Sequence, residues 1–100
     1  FYNCSSLTSI TIPYSVTSID DWAFFGCEKL IAITITGGVT NIGESAFEYC
    51  ENLESITILD SVTSIGKSAF EGCENLTIHA PAGSYAEEYA KENEINFVAE

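Results

Sequence analysis

Phe47-Glu48-Tyr49-Cys50-Glu51-Asn52-Leu53-Glu54-Ser55-Ile56-Thr57-Ile58-Leu59-Asp60-Ser61-Val62-Thr63-Ser64-Ile65-Gly66-Lys67-Ser68-Ala69 forms one unit of a repeat. Its apolar frame is Phe47, Cys50, Leu53, Ile56, Ile58, Val62, Ile65 and Ala69, with Gly66 before the end. Residues 24–46 carry the same frame as Phe24, Cys27, Leu30, Ile33, Ile35, Val39, Ile42, Gly43 and Ala46. Residues 1–23 carry it as Phe1, Cys4, Leu7, Ile10, Ile12, Val16, Ile19 and Ala23, with Asp20 in the glycine slot. Cysteine therefore falls at positions 4, 27, 50 and 73, every 23 residues. A fixed period of this length marks a solenoid. Each coil of a solenoid contacts only its neighbours, so the chain builds a surface rather than a cleft. That points to binding or display rather than catalysis.

Within a unit, Leu-x-x-Ile-x-Ile reads as a short strand. Alternation puts Ile10 and Ile12 on one face and Thr11 on the other. Val-Thr-x-Ile, as in Val16 to Ile19, reads as a second β segment. Turn residues separate the two: Pro13-Tyr14-Ser15, Thr36-Gly37-Gly38 and Leu59-Asp60-Ser61. The stretch from Ala46 to Cys50 predicts a short helical or 3₁₀ turn that closes the coil. In the fourth copy Thr77-Ile78 reads as three residues short of the run from Leu53 to Ile58, with Thr77 continuing the outward threonines. The pattern then changes. Ser84 followed by Glu87 fits a capping box, and Tyr85, Ala86, Tyr89 and Ala90 share one helical stripe. Asn93 fits a left-handed C-terminal residue, and Ile95 to Val98 a final strand. The expected fold is an α/β, β-rich, right-handed leucine-rich-repeat solenoid with a 23-residue period. Residues 1–78 would hold about three and a half coils. Residues 79–100 would form the C-terminal cap, with its capping helix.

Fifteen acidic residues face three basic ones, for a net charge of −12. Nucleic acid is excluded as a partner, because neutralising phosphates requires a basic stripe. Docking on anionic lipid is disfavoured for the same reason. No apolar run is long enough to span a bilayer, so no membrane insertion is expected. No signal peptide is legible either. The chain opens inside a unit and reads as a fragment of a longer array.

The motifs Ala-Phe-x-x-Cys-x-x-Leu-x-x-Ile-x-Ile and Val-Thr-x-Ile-Gly resemble the BspA-type leucine-rich repeats of bacterial surface proteins, which also occur in some parasitic protists. The resemblance covers residues 1–78, and Pro81 to Ala90 is similar to that family's C-terminal cap. It implies a secreted or surface-anchored parent protein and an adhesive function, with host-surface or matrix proteins as partners. Asp20-Asp21 and Thr36-Gly37-Gly38 depart from the family pattern and should alter local turns only.

No Cys-x-x-Cys or Cys/His cluster occurs, so no metal site is expected. The inward slots favour four buried, reduced thiols. The alternative is Cys4–Cys27 or Cys50–Cys73 pairing under oxidation. His79, the single histidine, reads as a loop residue at the hand-over to the cap. No nucleophile motif accompanies it, so no enzyme and no cofactor are expected. Glu28, Glu51 and Glu74 stack in one column, relieved by Lys29 and the amides of Asn52 and Asn75; a weak divalent-cation site there is a remote alternative. The outward rows Thr11, Thr34, Thr57 and Thr17, Thr40, Thr63 suit first of all ladder hydrogen bonding on an exposed strand, with a flat, hydroxyl-lined binding face as the alternative. Ile31 and Leu59 would be exposed apolar contacts on that face. The candidate binding residues are therefore Thr11, Ile31, Thr34, Glu54, Thr57 and Leu59. The leading reading is a non-catalytic extracellular interaction module. The competing one is a structural spacer. The uncovered first coil, with its strand from Leu7 to Ile12, also predicts self-association.

Overall fold

The computed structural model describes residues 8–100. Phe1, Cys4 and Leu7 lie outside the described residues, and so does any Cys4–Cys27 pairing. Each of the first three units contributes a four-residue and a two-residue strand, and the fourth a four-residue strand alone. These are β1 (Ser9–Ile12), β2 (Ser18–Ile19), β3 (Ala32–Ile35), β4 (Asn41–Ile42), β5 (Ser55–Ile58), β6 (Ser64–Ile65) and β7 (Thr77–Ala80), followed by helix α1 (Tyr85–Glu92) and β8 (Asn96–Ala99). Five strands form one sheet in the order β1-β3-β5-β7-β8, and three form a second in the order β2-β4-β6. All pairs are parallel. The register is the repeat itself: Ile10, Ile33 and Ile56 are paired in sequence, as are Ile12, Ile35 and Ile58. The chain is a β-solenoid with one C-terminal helix.

The inward isoleucines pack with Leu30, Leu53 and Leu76 between the two sheets, fully or nearly fully buried except for the partly buried Ile10. Each such side chain contributes about 1.5–3 kcal/mol by leaving water. The phenylalanines form a ladder. Phe24 stacks on Phe47 at 5.2 Å, and Phe47 on Phe70 at 5.4 Å, with nearly parallel rings. Tyr89 of α1 ends the ladder edge-on to Phe70 at 6.0 Å.

The closing segment carries 3₁₀-type bonds, Ala46 N–H to Gly43 O, Glu48 N–H to Ser45 O and Cys50 N–H to Phe47 O. It does not become a helix, because Ser45 and Tyr49 are left-handed, at φ 56° and 64°. The glycine slot has a steric reason. A Cβ on Gly43 would sit 2.5 Å from the backbone nitrogen of Asp21 in the preceding coil.

Three sequence expectations about the last coil need correction. Ser55 pairs with Thr77, an offset of 77 − 55 = 22 residues, so the coil is one residue short, not three. His79 therefore pairs with Thr57 and takes the outward threonine slot within β7; it is not a loop residue, and Thr77 does not continue that row. The strand runs from Thr77 to Ala80. At the cap, Ser84 does accept from Glu87 N–H, but the Glu87 carboxylate receives Gly83 N–H rather than that of Ser84. That bond, with Lys91 beside it, lowers the Glu87 pKa. Asn93 is not left-handed, at φ −107°; Glu94 is, at φ 58°. Ile95 N–H reaches Ala90 O and Glu94 N–H reaches Lys91 O, the bond pair of a Schellman motif with Glu94 in the position that favours glycine.

Candidate functional site

Parallel register places one residue of each coil beside its equivalent, so outward side chains form straight rows. On the large sheet, Thr11, Thr34, Thr57 and His79 make one row. Thr11 and Thr34 are exposed, while Thr57 is half-buried between Thr34 and the larger His79. His79 Nδ1 lies 3.4 Å from a carboxylate oxygen of Glu100. A second row flanks the sheet before the strands. Ile31 N–H donates to Thr8 O, Glu54 N–H to Ile31 O and Thr77 N–H to Glu54 O. Ile31 is 44% exposed and Glu54 is exposed as well. Thr11, Thr34 and Thr57 thus share one row within the sheet, while Ile31 and Glu54 form a separate row at the entrance to the strands. Leu59 does not join them as an exposed contact. It follows the end of β5, is half-buried, and approaches Gly37 from one side as the Tyr14 ring does from another.

The second threonine row has structural work. Thr40 Oγ1 donates to Thr17 O at 3.2 Å, and Thr63 Oγ1 to Thr40 O at 3.3 Å. These hydroxyls tie adjacent coils together and are spent on the backbone. In the glutamate column, Asn52 Nδ2 donates to the backbone oxygen of Glu28 at 2.8 Å, so the amide stitches coils rather than relieving the carboxylates. Among the described residues, no group of three His, Cys, Asp or Glu side chains is placed to hold a metal ion.

Cys27, Cys50 and Cys73 are buried, and Cys50 and Cys73 are free thiols. The Cys50 thiol donates to Phe24 O and that of Cys73 to Phe47 O, each at 3.1 Å, so each thiol is turned onto the coil before it. Burial pushes both thiols up to about 12.

Sequence reasoning passed over one surface. Trp22 lies 5.0 Å from Phe25, and Phe25 lies edge-on to Tyr49 at 5.5 Å. Trp22 and Tyr49 are 45% and 46% exposed. They stand where the other coils carry other residues: Ser45 and Ser68 in the tryptophan slot, Gly26 and Gly72 in the Tyr49 slot. Both slots are left-handed in every described coil, at φ 66° for Trp22 and 64° for Tyr49. A bulky residue there costs about 1–2 kcal/mol of backbone energy. The signal in the sequence was these departures from the repeat, not the repeat.

Compared with known families, residues 1–91 match the BspA type leucine rich repeat region, in 6 copies. No curated protein and no solved structure matches the chain. Among the described residues, no helix is long and apolar enough to cross a membrane.

Proposed function

Since the chain belongs to the BspA-type leucine-rich-repeat family, we propose that it is a non-catalytic, extracellular protein-interaction module of a bacterial surface protein, adhesive toward a host-surface or matrix protein. The observation that carries the reading is the large sheet, where Thr11 and Thr34 stand exposed in register and Ile31, just before β3, is 44% exposed. First-row hydroxyls Thr11 and Thr34 are exposed, whereas those of Thr40 and Thr63 in the second row are spent on coil-to-coil bonds. A rigid row of hydroxyls with an exposed apolar residue near it suits a protein surface, where a few apolar contacts supply most of the energy.

A specific observation favours a second location for the same function. Trp22, Phe25 and Tyr49 concentrate the aromatic types that dominate binding hot spots. The two are separated by pulldown from matrix extract with paired variants. Thr34→Lys with Thr57→Lys should abolish capture if the sheet face binds. Trp22→Ser with Tyr49→Gly restores the residue types of the other coils; it should abolish capture if the aromatic cluster binds. Because the left-handed slots favour glycine, the second pair should leave the melting temperature within a few degrees. Absence of any captured protein with the parent chain would leave a structural spacer as the better account.

A further inference from the structure

The closing turns of the solenoid are joined by a comb of hydrogen bonds that runs one way. Trp22, Phe24 and Gly26 donate their N–H groups to the carbonyls of Glu44, Ala46 and Glu48 in the next coil, at 3.0, 2.7 and 2.9 Å. Ser45, Phe47 and Tyr49 donate in turn to Lys67, Ala69 and Glu71, at 3.0, 2.8 and 2.7 Å. Ser68, Phe70 and Gly72 occupy the same slots one period later. Their N–H groups face the direction in which the next turn would stack, but α1 and β8 replace that coil and carry no equivalent turn. Among the described residues, none of these three N–H groups has a hydrogen-bond acceptor.

A groove of about 480 Å³ lies there. Ser68, Phe70 and Gly72 line one wall, and Tyr89, Asn93 and Ile95 the other. Its rim carries the carboxylates of Glu71, Glu74 and Glu94 against a single cation, Lys67. Amide donors held on a rigid backbone and spaced at every second residue match one edge of an extended peptide, whose carbonyls recur with that spacing. Donors without protein partners are satisfied by water, which a peptide carbonyl can displace. The acidic rim disfavours an anion and favours basic side chains on the incoming segment.

We propose that this groove is a peptide-docking site. It takes an extended segment of a partner protein whose backbone carbonyls accept from Ser68, Phe70 and Gly72 and whose Lys or Arg side chains meet Glu71, Glu74 and Glu94. The site is separate from the sheet face and adjoins the aromatic cluster at Gly72, which lies against the Tyr49 ring, so it extends the interaction reading to the C-terminal end of the solenoid.

Amide hydrogen exchange read residue by residue by NMR tests it. In the free chain, Ser68, Phe70 and Gly72 should exchange at least about tenfold faster than their counterparts Ser45, Phe47 and Tyr49, whose N–H groups are bonded. A blocked synthetic peptide of alternating lysine and valine should slow those three amides by about tenfold at saturation. The same peptide built on glutamate and valine should not. Glu71→Gln with Glu74→Gln and Glu94→Gln should weaken the lysine peptide several-fold. Thr34→Lys on the sheet face should leave it unchanged, which separates this site from the function proposed above. The proposal is overturned if the saturating lysine peptide leaves the three amides as fast as before, or if all three are already slow in the dilute free chain. Protection that rises with protein concentration alone would assign the groove to a second copy and overturn it equally.

Discussion

At the scale of single residues, the thiols are governed by their slot. Cys50 and Cys73 are inward, bonded to a carbonyl of the preceding coil, and held up at about 12 by desolvation. The reactive form is the thiolate. Cys50 and Cys73 should therefore resist alkylation at pH 8 in the native protein and react on denaturation. A Cys50–Cys73 disulfide in freshly purified, alkylated protein would overturn this. A pH dependence follows from the same burial. Between about 9 and 12 the unfolded thiol has lost its proton while the folded one keeps it. The folded state then binds more protons, and stability falls as pH rises. The chain should hold its stability from pH 7 to about 8.5 and lose it above pH 9, read by chemical denaturation at each pH. The inward slots were legible because identical residues recur at an identical period. His79 was misplaced because a deletion can be set anywhere between two anchors, and only strand register shows that one residue is missing. The aromatic cluster escaped for the opposite reason: a search for sameness passes over Trp22, Phe25 and Tyr49, which are where the copies differ.

Among the elements, the cap decides whether the last coil survives contact with water. Ala86 and Ala90 are the buried residues of α1, small enough to let the helix lie close against the last coil. Tyr89 is half-buried against Phe70, and burial raises its hydroxyl to about 12. Tyr85 is more exposed than its place on the apolar stripe implied, at 38%, with its hydroxyl 3.4 Å from the Ile65 nitrogen. The two tyrosines are thus unequal. Tyr89→Ala should cost about 2 kcal/mol, less than a full core aromatic because the ring is half in solvent. Tyr85→Ala should cost under about 1 kcal/mol. Urea titration of both variants checks the order, and equal losses would contradict it. The helix and its N-cap were readable from Ser84 and Glu87, since capping chemistry is local. The left-handed C-terminal residue was placed one position early. Asn has the better local preference, but pairing of β8 with β7 fixes where the chain must turn, and that falls on Glu94.

As a whole the described residues form a stack whose two ends differ. At one end β8 and α1 finish the large sheet, with Glu94 and Glu100 close by. At the other, β1 is the outermost of the described strands, and Thr8-Ser9-Ile10-Thr11-Ile12 contains no charged residue. An uncharged edge strand exposes backbone donors and acceptors that pair readily with another strand. Two copies meeting edge to edge at β1 would form an isologous, two-fold contact, the commonest way for like chains to associate. The net charge of −12 opposes it at low ionic strength. Salt screens that repulsion over about 10 Å at 0.1 M, so self-association should strengthen with salt rather than weaken. Sedimentation at low and high salt, across a range of protein concentrations, reads the outcome directly. Thr11→Lys places a charge on the edge and should return the chain to monomer in both. A strict monomer at every concentration and salt would show that the β1 edge is not open to pairing. Association that Thr11→Lys leaves unchanged would place the contact elsewhere, with the C-terminal groove as the next surface to test.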